Sequence, residues 1–227
     1  MENCFKAINV SNKEIFYKSV IAGMFICISS YSYLLINNYY GRLIGAIVFP
    51  LGLYFICTLK LNLFTGKIGF LINSNKNNFS NNHNPIIYLS IILLGNIIGA
   101  LSTGLLLGMN EEIQEYSKLI LLNKLSENYI LDLLGVFIRS LLCGVLVHCA
   151  IILYGKNKNP ASIFAPIALF VVCGFDHCIA MFSYLGISQN FDYRILMLIL
   201  ISIVGNSVGS MFFEKGVNFY LKNKDQQ

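Results

Sequence analysis

"ASIFAPIALFVVCGFDHCIAMFSYLG" occupies residues 161–186. It is long enough to cross a bilayer core as a helix, which takes roughly 20 apolar residues. Yet its middle holds Gly174 and two adjacent ionisable residues, Asp176 and His177, with Pro166 upstream. Interrupted backbone at membrane depth persists only where it lines a cavity or is buried in protein. An ionisable residue at such depth is by default a candidate functional residue. The stretch therefore reads as a broken membrane span with its polar residues turned into the protein.

The rest of the chain supports a membrane setting. Of its 227 residues, 56% are hydrophobic and 12% charged, where a soluble domain carries about a quarter charged. Mean hydropathy is +0.66. Apolar residues fall in six runs, 15–36, 44–72, 85–108, 133–155, 161–188 and 192–214. Little remains for a soluble domain, so the expectation is one all-α integral membrane domain over 1–227. "MENCFKAINV" at the start carries no signal-peptide pattern, so the first run is expected to stay as a helix.

Six spans put both termini on one side, with ten Lys and Arg residues there against five opposite. The positive-inside rule places that side in the cytoplasm, within a cell (inner) membrane. The connection between spans three and four is acidic, with Glu111, Glu112, Glu115, Glu127 and Asp132. The basic excess is thus topological and no nucleic-acid partner is expected. Six of the seven cysteines lie in spans and none form a C-x-x-C pair; they read as reduced, apolar packers. His148, beside Cys149, reads as a helix–helix contact, and His83 lies in a polar, Asn-rich loop without assigned chemistry. No metal site, cofactor or enzyme activity is expected.

Residues 45–72, "GAIVFPLGLYFICTLKLNLFTGKIGFLI", repeat the opening pattern: Pro50 comes early, then Lys60, Asn62, Thr65 and Gly66. "KSVIAG" (18–23) matches "RSLLCG" (139–144), and "GNIIGA" (95–100) matches "GNSVGS" (205–210). Spans one to three therefore correspond to four to six. Three spans per half make the second half enter from the opposite face, which is an inverted repeat, about 15–108 against 133–214, with broken second and fifth helices meeting near the midplane. Glycines four apart in the matched segments permit close backbone approach.

On "NLFTG", "RSLLCGVLV", "GFDHCIA" and the two "GN" segments, the chain resembles the formate/nitrite transporter family over nearly its whole length. The resemblance implies an aquaporin-like outline and a homopentamer in the lipid bilayer, with a pore in each protomer passing small monovalent anions or their acids. It makes His177 the central pore histidine, Thr65 the residue facing it, and Asn206 the residue orienting it. Leu53 and Phe170 resemble a cytoplasmic constriction, and Phe64 with Val147 an outer one. Asp176 and Asn62 stand where the family has acidic residues at the breaks. Departures are Met181 directly after Ala180, Gly144 after Cys143, Asn128 where the family has a lysine (with Lys124 one turn earlier), and Lys60 at a usually small position. Formate, nitrite, hydrosulfide and short carboxylates all stay open as substrates.

From the residues alone, Asp176 is expected to accept hydrogen bonds from backbone N–H groups exposed at the break, with His177 facing the conduit. Lys60 reads either as a snorkelling chain or partner of Asp176, or as a vestibule cation that concentrates anions. Two other readings are a degenerate family member conducting neutral solutes and a membrane redox or metal protein using His148, His177 and nearby cysteines.

Overall fold

Capping chemistry sets the starts of three of the four long helices. The computed structural model describes residues 11–73 and 84–224, so Cys4, Lys6, Lys76 and His83 lie outside the described residues. Helix α1 (Asn12–Tyr40) starts where the Ser11 hydroxyl accepts the Glu14 N–H at 3.2 Å. Asn84 accepts the Ile86 N–H at 2.9 Å ahead of α5 (Pro85–Leu107), whose Pro85 at the first helical position loses no helical bond. Asn128 caps α7 (Tyr129–Asn157) through the Leu131 N–H at 3.3 Å. Asn128 therefore closes the start of α7. With α10 (Tyr193–Lys224), these four are long and apolar enough to cross a membrane.

The remaining apolar runs are interrupted. The second divides into α2 (Arg42–Val48), α3 (Pro50–Thr58), α4 (Phe64–Lys67) and a 3-10 segment, Ile68–Asn73. The fifth divides into α8 (Ala161–Cys173) and α9 (Cys178–Ser188), bent by 58° to each other. By length and composition four helices, or five with that bent pair, suffice to cross a membrane. Among the described residues every regular element is helical.

Glycine lets the long helices touch. A side chain on Gly95 would stand 2.6 Å from the Ser19 Cβ of α1, and one on Gly205 would stand 2.6 Å from the Ser140 Cβ of α7. Gly99 and Gly209 lie directly against the Val20 and Leu141 carbonyls of the same two helices. So α1 pairs with α5, and α7 with α10, at backbone contact.

The acidic connection, expected only as a link, is an amphipathic helix, α6 (Glu111–Leu122), capped by Asn110 and packed on α9 through a Ser117 hydroxyl bond to the Tyr184 carbonyl at 2.9 Å. Glu112 receives bonds from Asn38 and Tyr39, placing α6 at the end of α1 opposite the N-terminus. Tyr129 donates to the Arg194 carbonyl at 3.0 Å, so α7 and α10 also start at that end. Leu106, Ile130, Tyr193 and Phe212 stay exposed, an apolar exterior beyond what a soluble monomer shows.

Candidate functional site

The two interruptions open alike. At the end of α3 the Leu61 N–H bonds the Ile56 carbonyl at 2.9 Å; at the end of α8 the Phe175 N–H bonds the Phe170 carbonyl at 3.0 Å. This six-to-one closure needs a left-handed residue just before it. Gly174 supplies it in one (φ 70°) and Lys60 in the other (φ 53°). Glycine adopts this backbone without a Cβ penalty. Lys60→Gly is expected to keep the fold and add about 0.5–1 kcal/mol from the relieved left-handed strain, checked by thermal unfolding. Lys60 itself is exposed on the protomer.

One asparagine staples each break. Asn96 of α5 accepts the Phe64 N–H at 2.8 Å and donates to the Ser19 carbonyl at 2.7 Å and the Asn62 carbonyl at 2.8 Å. Asn206 of α10 accepts the Cys178 N–H at 2.8 Å and donates to the Ser140 carbonyl at 2.7 Å and the Asp176 carbonyl at 2.9 Å. Both are fully buried. Asn206 thus holds the backbone on both sides of His177 and makes no bond to the ring. Asn96 escaped the sequence reading, although its place in "GNIIGA", matched to "GNSVGS", marked it. The Asn62 side chain donates to the Ile15 carbonyl at 3.3 Å, tying the first break to α1.

His177 caps α9. Its Nδ1 accepts the Ala180 N–H at 3.2 Å, and its Nε2 lies 2.8 Å from the Thr65 hydroxyl. A nitrogen that accepts an amide proton carries none itself, so the neutral ring holds its proton on Nε2 and donates it to Thr65. The hydroxyl proton of Thr65 then remains to donate elsewhere. Both residues are buried. Phe170 lies nearly parallel to the imidazole, centroids 6.1 Å apart, and meets Phe49 edge-on at 5.6 Å.

Asp176 departs from expectation. Its carboxylate is only 3% exposed, yet takes two cationic side chains and no backbone N–H: Lys124, just past α6, bonds one oxygen, and Arg139 Nε donates to the other at 2.7 Å. Lys60 is not its partner. Sequence separation hid both cations, although Lys124 lay one turn from the position where the family carries its lysine.

These groups surround a cavity of about 460 Å³ lined by Arg42, Lys124, Arg139, Asp176, Phe170 and His177 among others. Formal charges of its ionised lining sum to three cations against one carboxylate. Asn37 and Asn123 also line it, so it opens toward the α6 end. Phe170 therefore faces the side away from the termini, whereas the sequence reading had it on the side of the termini. Leu53 is buried one turn beyond Phe49 on α3, while Phe64 and Val147 are buried where α4 meets α7. Lys60 does not line this cavity. His148, read as a lone contact, pairs with Glu214 of α10 at 2.9 Å.

A family model described as "Formate/nitrite transporter" matches residues 1–220. Two solved structures share the fold. A "Pentameric formate channel with formate bound" is 20% identical with a TM-score of 0.75, covering 93% of this chain and 97% of its own. An "FNT family ion channel" is 19% identical with a TM-score of 0.79, covering 91% and 89%. No curated protein matches the chain.

Proposed function

The chain belongs to the formate/nitrite transporter family, and from that premise we propose a homopentameric channel whose protomers each pass small monovalent anions, as their protonated acids, through a pore centred on His177. The observation that carries the reading is the Thr65–His177 pair at the floor of a cation-rich cavity, displayed by two helix breaks. One domain over 1–227 contains two inverted repeats, 15–108 and 133–214, in a six-span arrangement with broken second and fifth spans. The paired asparagine staples, the paired left-handed closures and the paired glycine contacts support that symmetry. Both termini lie in the cytoplasm, so the cavity opens outward.

Energetics set the form in which solute crosses. An ion entering a dry space bears an idealised Born cost on the order of 20 kcal/mol. Protonating a carboxylate of pKa near 4 at pH 7 costs about 4 kcal/mol. Arg42, Lys124 and Arg139 draw the anion into the vestibule; Asp176 fixes two of those cations without cancelling the field. The solute takes a proton, slides past Leu53 and Phe170, meets His177 and Thr65, and leaves between Phe64 and Val147. Because Nδ1 is committed to the α9 cap, a second ring proton would break that cap. His177 accordingly acts as a neutral Nε2–H donor to the solute, with Thr65 as its adaptable partner. Formate, nitrite, hydrosulfide and short carboxylates all satisfy this chemistry.

Stopped-flow uptake into proteoliposomes tests the reading, across those anions at several pH values, with His177→Phe beside the parent. We expect flux that rises as pH falls and a variant that loses selectivity between acids. Uptake no faster than in empty liposomes defeats the proposal; equal flux and pH dependence in His177→Phe removes the histidine from it.

A further inference from the structure

One buried pair of ionisable groups has no part in the pathway described so far. His148 of α7 and Glu214 of α10 are 0% and 1% exposed, and Nε2 of the ring lies 2.9 Å from the carboxylate. Two such groups deep in apolar helices are costly to bury. A single hydrogen bond between α7 and α10 could be made by two amides at far lower desolvation cost. Their position sharpens the question. The Ser210 hydroxyl donates to the Gly144 carbonyl at 3.1 Å and reaches the Thr65 carbonyl at 3.5 Å, so α10, α7 and α4 meet in one layer beside His177. Four residues on from each member stand Glu214, His148 and Gly69. That second layer lies one helical turn, about 6 Å, nearer the termini.

The layers differ in chemistry. In the second, the imidazole lies flat on Gly69, where a Cβ would come within 2.6 Å of Nδ1. Phe70 meets the ring edge-on at 4.7 Å, and Phe213 at 6.4 Å. Nδ1 is fully buried and has no hydrogen-bond partner among the described residues. Val147, assigned above with Phe64 to a constriction, is the adjacent residue on α7. Among the described residues, these charged, polar and titratable groups stand near the pair. Asn218 donates to the Glu214 carboxylate at 3.0 Å. Lys67 of α4 turns away over the Tyr88 ring, Lys215 of α10 is exposed, and Cys149 follows His148 on its own helix.

We propose that His148 and Glu214 form a second proton-binding site, through which the proton travelling with the weak acid is exchanged with the terminal side of the membrane. One proton is shared between the carboxylate and Nε2, and the lone pair of Nδ1 remains open to accept another. When that proton arrives, an Nδ1–H bond forms as an O–H bond of the donor breaks, the donor being the protonated solute or a hydronium ion, and release toward the terminal side reverses the step. The site rests on the functional reading above for its direction of proton flow, but not for its existence.

Infrared difference spectra of the purified full chain, taken on stepping the pH over the range in which it stays assembled, test the existence. A Glu214 band, carboxyl or carboxylate, should change with pH as the ring gains its second proton, disappear in Glu214→Gln and move in frequency in Glu214→Asp, which keeps the acid if the amide variant fails to assemble. The absence of any Glu214-dependent band overturns the site whether or not the protein transports. Flux in proteoliposomes tests the role. Each of Glu214→Gln and His148→Gln should slow uptake driven by a pH gradient about tenfold, what one pH unit does to a protonated fraction. The double variant should lose no more, since the pair acts as a unit. A double variant that assembles and keeps the parent pH profile reduces the pair to a stitch between α7 and α10. A parent protein that passes no weak acid refutes the functional reading, and the infrared band still decides the site.

Discussion

Replacing Asn206 by leucine lowers the stability of the protein by roughly 3 kcal/mol or more, because it orphans two backbone groups at the break that each cost about 1–3 kcal/mol when buried unpaired. The Cys178 N–H and the Asp176 carbonyl lie at the break and bond the Asn206 amide, whereas the Ser140 carbonyl, inside α7, keeps its helical bond; Asn206 is fully buried. Water cannot replace the lost amide at membrane depth. Asn206→Asp restores an acceptor for Cys178 but no donor for the two carbonyls, so it recovers a minor share. The natural cysteines report the result: Cys143 and Cys178 are both 0% exposed, and a thiol-reactive dye labels them only as the helices separate. A melting curve overlaying that of the parent would show that the staple is dispensable. Asn96→Leu should behave alike at the first break, since its bonds correspond one for one.

The second large effect is at Asp176. Asp176→Leu leaves Lys124 and Arg139 facing each other around an apolar side chain. Breaking a buried ion pair from one side costs about 3–5 kcal/mol; here Lys124 and Arg139 are 16% and 36% exposed and can turn partly to water, which favours the lower end. The triple variant Asp176→Leu, Lys124→Met, Arg139→Met should regain much of that loss, the coupling expected of groups in one network. It should also remove two of the vestibule's three cations, so anion uptake falls while assembly recovers. If Asp176→Leu alone melts like the parent, the carboxylate does not bind its two cations in solution as the geometry has it.

The membrane class and the places where the second and fifth runs break were legible in the chain because they depend on local composition, whereas helix ends such as Tyr40 and Lys224 overran the apolar runs. A proline, a glycine and two ionisable residues in 26 apolar positions can hardly form a continuous lipid-facing helix. Internal matching between "GNIIGA" and "GNSVGS" carried the correspondence of halves further than either segment could alone. What stayed hidden was contact across long separations. Asp176 meets Lys124 and Arg139 at separations of 52 and 37 residues, so backbone acceptance at the break was the nearest available guess. Glu214 sits late in the last apolar run, where it resembles an ordinary interfacial acid until α7 brings His148 beside it. The side on which Phe170 lies followed from neither pattern nor spacing, because a residue's distance along a broken span does not give its height.

The staples separate what the two breaks are from what they show. Each asparagine holds the main chain on either side of its break, so the side chains presented between its grips are unconstrained by it. Leucine stands at 63 where histidine stands at 177, and asparagine at 62 where aspartate stands at 176. A lineage carrying this frame can exchange its displayed residues, and with them the solutes it admits, while the architecture is inherited unchanged.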